Sequence, residues 1–485
     1  MNQHKLIKSS FIYVVLGFLP LAINFFVAPI YTSYLPLGEY SKIALANLVS
    51  GGLIIFLGLG IDKAFSRFYY YCYKKKILLD ALLTTTLISV ISISLVIYVL
   101  GHYSGDLVFK YLFTNDEFTF FPYGELIFGN TFFVVLNSLI FSYYRNNEDP
   151  IKYSIFSISF FLFNLIGTLL FIYLESTAYM ALLGRFIGGG VITLISLSYL
   201  LFRRKIVLRT KILKPMLKYC LPLIPYTLIL FAYENLDKII IERFFPTETL
   251  GVYHFAFLLA SVVSVLLYAV FNAVAPRIYK LFSEETKEAQ EEVRLINRMF
   301  HIIITLTVTL GIALVNPFIR IVIDEKYWTI FTYGALLFLI YIPQVFYVLY
   351  SVSIFYYNHT KYLPFISLVS FSIGLGVNFI FLSSFGIYAV ILGLFCSKLS
   401  QVIMTVLLLR KLKINTIFHK DSITSMYLST LILIPFAVIF ILNIIYKFAP
   451  FSLINLMPLI VFLIYFFVNG LHLKFIQFLK KIVES

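Results

Sequence analysis

Apolar runs long enough to cross a membrane recur along the whole chain, and they constrain its fold more than any other feature. A bilayer core about 30 Å thick is spanned by about 20 apolar helical residues. Such segments lie near residues 11–33, 41–62, 77–101, 122–143, 153–173, 180–202, 219–241, 251–274, 300–323, 330–354, 363–383, 388–409, 424–446 and 453–470. A backbone in hydrocarbon must satisfy its own hydrogen bonds, and alternating strand patterns are absent. We therefore expect an all-α polytopic membrane protein with fourteen transmembrane helices.

The composition agrees with a membrane protein and argues against several other classes. Hydrophobic residues make up 61% of the 485 residues and charged residues 13%, whereas soluble domains are about a quarter charged. The net charge of +15 would suggest a nucleic-acid partner in a soluble protein, but the inner loops of membrane proteins also collect Lys and Arg. No nucleic acid is expected. Cys72, Cys220 and Cys396 lack metal-site spacing, so we predict no metal and no cofactor.

The basic residues predict the orientation of the chain in the membrane. If the N-terminus is inside, 29 of the 38 Lys and Arg residues fall in inner segments and five on the outer side. This split satisfies the positive-inside rule, with both termini cytoplasmic. The four remaining cations lie within helices or at their edges: Lys42, Arg185, Lys238 and Lys398.

Short motifs recur at a common offset of 209 to 213 residues. The recurring pairs are LGEY at 37–40 with LGVY at 250–253, Lys152-Tyr153 with Lys361-Tyr362, and LGRF at 183–186 with LGLF at 392–395. Their shared order predicts two lobes of six helices each. Because six is even, the lobes keep the same orientation, as in transporters built from parallel repeats with a substrate path between the halves.

The repeat also predicts the limits of the domains. Helices 1–6 form an N-lobe over residues 1–205, and helices 7–12 form a C-lobe over 206–415. Residues 416–485 contain the two extra helices 13 and 14 and a tail, LHLKFIQFLKKIVES, whose apolar face and lysines predict an amphipathic helix on the inner surface. The loop from Pro276 to Arg298 is expected to be a solvated helical link.

Charges inside apolar segments are costly and therefore indicate function. Lys398 lies near the middle of helix 12, and the repeat places Arg185 at an equivalent level of helix 6. We favour a shared cationic cavity that binds substrate. The alternatives are an ion pair or a snorkelling side chain for Lys398, and for Arg185 a position that reaches the outer headgroups while the adjacent glycines pack helices.

Helix 7 carries three charges, Glu234, Asp237 and Lys238. Glu234 and Asp237 are candidates for gating or ion coupling, because a buried acid can exchange a proton. Lys238 is a third candidate for substrate binding. The alternative is that Asp237 and Lys238 only mark the outer end of the helix.

Three further features are expected at surfaces. Lys42 and Glu125 are predicted to lie near outer helix ends. The segment 60–76 is predicted to lie at the inner surface, where its basic residues either set the topology or attract anionic headgroups or a diphosphate.

Four stretches resemble the polysaccharide-transporter family of the MOP exporter superfamily. They read PLGEYSKIALA at 36–46, GIDKAFSRFYY at 60–70, ENLDKIIIERFFPTETLGVYHFA at 234–256 and APRIYKLF at 275–282. The resemblance implies two six-helix lobes in a V shape, alternating access and a cationic lumen to which Arg185 and Lys398 would belong.

The same resemblance implies a flippase in the bacterial cytoplasmic membrane. Its substrate would be an oligosaccharide linked to undecaprenyl diphosphate, moved from the inner to the outer leaflet for O-antigen, capsule or related glycans. Its partners would be membrane lipids, H⁺ or Na⁺ as the coupling ion, and a polysaccharide polymerase.

Other functions remain open at this point. A drug or cation antiporter of the same superfamily should hold its cation on an acid in the middle of a lobe, whereas the mid-helix charges here are basic. A lipid II flippase is also compatible with the composition. A membrane glycan polymerase or glycosyltransferase would carry a large outer loop with clustered acids, but the loop 102–121 has only Asp106, Asp116 and Glu117. We therefore expect a transporter and no enzyme.

Overall fold

The computed structural model describes residues 29–72, 75–202, 204–284, 286–357 and 359–414. Predicted helices 13 and 14, the amphipathic tail and most of helix 1 lie outside these ranges. Throughout the described ranges the regular structure is helical and no strand occurs. The helices are α1 Leu37–Gly58, α2 Ile61–Cys72, α3 Lys76–Leu112, α4 Glu125–Asn146, α5 Pro150–Leu174, α6 Ala178–Leu201, α7 Thr210–Cys220, α8 Ile224–Phe244, α9 Thr247–Glu284, α10 Lys287–Val322, α11 Gly334–Leu339, α12 Tyr341–Tyr356, α13 Leu363–Phe385 and α14 Ile387–Lys411.

Eleven stretches of the described chain are long and apolar enough to cross a membrane. Each overlaps one of the predicted helices 2–12, so the prediction of an all-α multi-pass membrane protein is confirmed. The total of fourteen helices stays a prediction.

Local sequence signals explain where several helices begin. The Asp149 side chain accepts a hydrogen bond from the Lys152 backbone N–H at 3.1 Å, and Pro150 occupies the first turn of α5. Thr286 accepts from the Ala289 N–H at 3.1 Å in the same way. Such caps satisfy backbone donors that have no partner in the first helical turn. Within the described residues, the Pro276–Arg298 link is helical up to Glu284, where α9 ends, and again from Lys287, where α10 begins.

A sharp turn separates α1 from α2. Leu59 and Gly60 both have left-handed backbone angles, with φ of 46° and 67°. The chain then enters the amphipathic helix α2, in which Ala64 and Phe65 are buried whereas Lys63 and Arg67 are exposed. The buried side of α2 joins an apolar core formed with residues of α3, α4 and α7.

The described chain divides into two compact units, one up to His254 and one from Phe255 onward. The first unit contains α1–α8 and the start of α9. It extends past residue 205 because α8 packs against α1. The second unit contains the rest of α9 and α10–α14. The predicted lobe limits at 205 and 415 stay a prediction.

Glycines bring one helix pair into close contact in each unit. A Cβ atom at Gly184 of α6 would collide with the backbone carbonyl of Gly167 in α5. In the second unit, a Cβ atom at Gly374 of α13 would lie 3.0 Å from the carbonyl oxygen of Gly393 in α14. Gly184 and Gly393 are the glycines of the repeated LGRF and LGLF motifs, so corresponding positions make close helix contacts in both units, as small residues do in membranes.

Substituting Gly184 with alanine is expected to destabilise the protein by about 1–3 kcal/mol, the usual cost of overpacking, because the backbone of α5 cannot move away from the new methyl group. Thermal unfolding of the purified protein in detergent measures the effect. Gly376→Ala in α13 is the matched control, since a Cβ there meets nothing within 4 Å. An equal loss of stability in both variants would contradict the packing argument.

Candidate functional site

The N-terminus of α6 fixes the position of Arg185. The Ala178 backbone N–H donates to Glu39 Oε2 at 2.6 Å, and Thr177 caps the helix by accepting from the Met180 N–H at 3.3 Å. Arg185 lies seven residues further on, about 10 Å along the helix axis. It therefore lies well inside the end of the unit that the basic residues predict to face outward.

The Arg185 guanidinium is half-buried and contacts neutral groups. It donates to Asn47 Oδ1 at 3.2 Å and to the Tyr31 hydroxyl at 3.4 Å. The Tyr31 ring centre lies 6.0 Å from the guanidinium carbon, within cation–π range. Arg185 forms no ion pair with any carboxylate of the described residues. Its charge is thus left available for an anion, since a guanidinium binds phosphate and carboxylate through two parallel hydrogen bonds.

The three charges of α8 have different environments. Glu234 is exposed, Lys238 is half-buried and Asp237 is fully buried at 0% exposure. Lys238 Nζ donates to Asn235 Oδ1 at 2.9 Å. The assignment of Glu234 and Asp237 to gating or ion coupling stays a prediction.

Asp237 has an unusual hydrogen-bond arrangement for a buried carboxyl group. Its Oδ2 accepts from the Tyr253 hydroxyl at 2.7 Å. Its Oδ1 is buried and accepts no hydrogen bond from the described residues. A buried carboxylate oxygen without a donor is costly, so this atom is a natural place for a proton or a small cation.

Aromatic contacts link Arg185 to His254 of α9. The Arg185 guanidinium contacts Tyr31, and the ring centres of Tyr31 and Tyr40 lie 6.4 Å apart. The rings of Tyr40 and His254 lie 6.0 Å apart. We call this set the outer polar cluster; it comprises Tyr31, Tyr40, Asn47, Arg185, Asp237, Lys238, Tyr253 and His254. All its members lie in the first unit, at the end where α1, α6 and α9 begin and α8 ends.

A network of ion pairs around Lys42 lies at the same end of the unit. This residue is buried at 6% exposure, so the expectation of a surface position is wrong. Lys42 Nζ pairs with Glu39 at 2.8 Å and with Glu117 at 2.7 Å. Contact with Lys42 holds the pKa of the exposed Glu117 below its usual range, so the pair persists at neutral pH and is lost only as the pH falls through that lowered pKa.

Glu125 fits its predicted surface position. Its side chain is about one-third exposed, and Oε1 accepts a hydrogen bond from the Tyr98 hydroxyl at 3.2 Å. The contact links α4 to α3 and involves no second buried charge. Glu125 therefore has no role in the outer polar cluster.

Lys398 belongs to the second unit. It lies near the middle of the 25-residue helix α14 and is half-buried. Its helix neighbours Ser397, Ser400 and Gln401 are buried. Gly393, which makes the close contact with α13, lies five residues before Lys398, whereas Gly184 directly precedes Arg185. Lys398 thus stands at the corresponding helix of its own unit, and its role in substrate binding remains a proposal.

Several members of the outer polar cluster were not singled out from the sequence. Tyr31, Tyr40 and His254 are single polar residues near helix ends, where such residues are common, and Asn47 is a single polar residue in the middle of α1. The only signal was that Tyr40 and Tyr253 occupy matching places in the repeated LGEY and LGVY motifs. No group of three or more His, Cys, Asp or Glu residues suited to a metal ion occurs among the described residues.

Comparisons with solved structures identify the fold. An inward-facing multidrug resistance MATE family transporter of the MOP superfamily matches with a TM-score of 0.67 and 17% identity, over 79% of this chain and 92% of that one. The lipid II flippase MurJ, in an inward closed conformation, matches with a TM-score of 0.65 and 16% identity, over 93% and 99%. An outward-facing MATE transporter matches with a TM-score of 0.58 and 15% identity, over 85% and 97%. At these identities the likeness shows the fold alone.

Comparison with curated proteins gives no significant match. A family model described as "Polysaccharide biosynthesis protein" matches residues 38–332, which is more than half of the chain and includes α1 through the start of the second unit. This range contains Arg185, Asp237 and Lys238. The chain therefore belongs to this polysaccharide biosynthesis protein family and has the fold of MOP-superfamily transporters.

Proposed function

We propose that this protein is a flippase that moves oligosaccharide linked to undecaprenyl diphosphate from the inner to the outer leaflet of the bacterial cytoplasmic membrane. The observation that carries the proposal is the position of Arg185 in the outer polar cluster, where it forms no ion pair with a carboxylate of the described residues. Membership of a polysaccharide biosynthesis family and the transporter fold support it. The glycan formed would be a surface polysaccharide such as O-antigen or capsule.

The chemistry of the substrate explains why cations are needed. A diphosphate bearing sugars cannot cross hydrocarbon unaided, because burying its charges and hydroxyl groups is costly. In the proposed cycle Arg185 binds phosphate oxygens through its fork of donors, while Asn47 and Tyr31 hold the guanidinium in place. Lys238 adds a second positive charge at the same end of the first unit. Lys398 is proposed to contribute the corresponding charge from the second unit, and the prenyl tail stays in lipid.

Asp237 is proposed as the coupling group. Its buried Oδ1 is available for a proton, and Tyr253 keeps the carboxyl group oriented through Oδ2. Protonation would remove a negative charge next to Lys238 and so change the field that Arg185 and Lys238 present to the diphosphate. A sodium gradient acting at the same carboxylate is the alternative driving force. Exposed Glu234 would then serve at the gate.

Transport by purified protein in proteoliposomes tests the proposal. We expect a polyprenyl-diphosphate-linked oligosaccharide to move between leaflets, as measured by a membrane-impermeant glycosidase or lectin. A cationic dye, supplied in parallel, is expected to move at least about tenfold more slowly, because a cationic cluster does not favour a cation. Lipid II is supplied as a second comparison. Transport of the dye alone would instead identify a drug antiporter, and transport of lipid II alone would identify a peptidoglycan precursor flippase.

A further inference from the structure

A basic cavity lies at the opposite end of the first unit from the outer polar cluster. It has a volume of about 800 Å³ and is lined by the ends of α3, α4, α5 and α6 and by the chain that follows α6. Three cations line it, Lys76, Lys152 and Arg204, and no carboxylate is among its described lining residues. By the distribution of Lys and Arg, this end of the unit faces the cytoplasm.

Arg204 is held in place by groups behind the cavity wall. Its Nη1 donates to Asp80 Oδ1 at 2.9 Å, and Asp80 is buried at 2% exposure. Its Nη2 donates to the Tyr143 hydroxyl, and its guanidinium carbon lies 4.5 Å from the Tyr143 ring centre. A buried acid and an aromatic face thus fix one cation, which is more than setting membrane topology requires.

The chain after Arg204 is fixed as well. Thr84 of α3 donates from Oγ1 to the Val207 carbonyl at 2.7 Å, and Thr85 Oγ1 accepts from the Arg209 backbone N–H at 3.0 Å. These two hydroxyl groups hold an irregular segment against a helix by its backbone. The wall of the cavity that carries Arg204 is therefore part of the folded unit.

The other two cations differ in their ion pairing. Lys152 pairs with Asp149 at 3.1 Å, but Lys76 is exposed and forms no ion pair with any carboxylate of the described residues. Asn147, at the end of α4, accepts from the Tyr69 hydroxyl through Oδ1, which directs its amide donors elsewhere. Cations, an amide and tyrosine hydroxyl groups around one space suit a ligand with several anionic oxygens, as in a phosphate group.

The rim of the cavity indicates where this phosphate comes from. Tyr199 is 57% exposed and Phe202 is 84% exposed, both beside the cations. Aromatic rings next to basic groups at a helix end are typical of the headgroup level of a bilayer. Basic pockets between transmembrane helices on the cytoplasmic side suit anionic lipid headgroups.

We propose that this cavity binds the phosphate headgroup of an anionic phospholipid of the inner leaflet. Lys76 and Lys152 supply charge, Arg204 supplies a guanidinium fixed by Asp80 and Tyr143, and Tyr199 and Phe202 lie along the glycerol and upper acyl region. The site is separate from the outer polar cluster and uses none of its residues. Lipid binding at this site would make the cytoplasmic end of the first unit sensitive to the lipid composition of the inner leaflet.

Lipid binding by the purified full-length protein in nanodiscs tests this proposal without depending on transport. Native mass spectrometry or a fluorescent lipid titration compares phosphatidylglycerol and cardiolipin with phosphatidylcholine. The Lys76→Gln/Lys152→Gln variant is expected to lose about 30-fold in affinity for the anionic lipids, at about 1 kcal/mol for each lysine near the surface. This variant leaves the Asp80–Arg204 pair intact, so it avoids exposing a buried carboxylate without its partner.

The matched control is Lys75→Gln/Lys205→Gln. It removes the same number of charges from exposed positions next to the cavity that do not line it. This control is expected to bind anionic lipid as the wild-type protein does. Equal losses in both double variants would mean attraction by general surface charge and would overturn the site, as would no loss in either.

Two further arms complete the test. Arg204→Lys keeps the charge but loses the fork, and it is expected to weaken binding while the protein stays folded. Inorganic phosphate and pyrophosphate are expected to compete only weakly with lipid. If either binds as tightly as cardiolipin and displaces it, the ligand is a free phosphate compound and the lipid assignment is wrong.

Discussion

Replacing Arg185 with alanine is expected to lower glycan export at least about 30-fold while membrane levels of the protein stay normal. Removing one partner of an enclosed, hydrogen-bonded charge pair costs about 2–5 kcal/mol, and 2 kcal/mol is already about 30-fold. Among the described residues Arg185 contacts only neutral groups, so its loss leaves none of their buried carboxylates without a partner. Complementation of a strain lacking the transporter, with export measured on the cell surface, checks the result.

Two variants separate a specific role for Arg185 from a general charge effect. Arg185→Lys keeps the charge and is expected to recover only part of the activity, because an ammonium group lacks the planar fork. Arg243→Ala removes an exposed arginine from the end of α8 and is expected to export normally. Full activity of Arg185→Ala would remove Arg185 from the proposed binding site.

The relation between Arg185 and Lys238 adds a second measurement. If both act on the same diphosphate, the losses in Arg185→Ala and Lys238→Ala should not add in the double variant. Additive losses would mean that they bind different parts of the substrate. Lys398→Ala, in the second unit, is expected to lower export as well.

The helices were predictable because the membrane reduces the folding problem to a search for apolar runs of fixed length. Helices 2–12 follow from hydropathy alone, because an apolar run is recognised from its local sequence without knowledge of distant contacts. The structure extends several of them, as in α3, which continues to Leu112, because charged residues such as Asp106 and Lys110 can continue a helix beyond the hydrocarbon. Hydropathy cannot detect these helical extensions beyond the hydrocarbon.

The candidate site was predictable only where a charge interrupts an apolar segment. Arg185, Asp237 and Lys238 stand out for that reason. The burial of Lys42 was not predictable, because it depends on Glu117, which lies 75 residues away in sequence. The same holds for Asp80, whose partner Arg204 is 124 residues away. Pairing across such distances decides which charges are enclosed, and no local pattern records it.

Replacing Asp237 with asparagine is expected to abolish the response of transport to an imposed ion gradient. Asparagine has nearly the same shape and still accepts a hydrogen bond from Tyr253, but it cannot exchange a proton. We expect gradient-driven transport in proteoliposomes to fall at least about tenfold, the scale of a 1.4 kcal/mol change in driving force. Exchange of substrate without a gradient should continue, since Arg185 and Lys238 are unchanged.

The controls for Asp237→Asn include substitutions of two exposed carboxylates, Glu248 and Glu234. Glu248→Gln removes an exposed carboxylate at the start of α9 and is expected to leave the gradient response intact, whereas Glu234→Gln is expected to lower it less than Asp237→Asn does. Tyr253→Phe removes the only hydrogen bond to Oδ2 within the described chain and should weaken coupling without abolishing it.

Imposing proton and sodium gradients separately identifies the coupling ion. A normal response of Asp237→Asn to both gradients would exclude Asp237 from coupling. The buried Oδ1 would then only destabilise the folded protein.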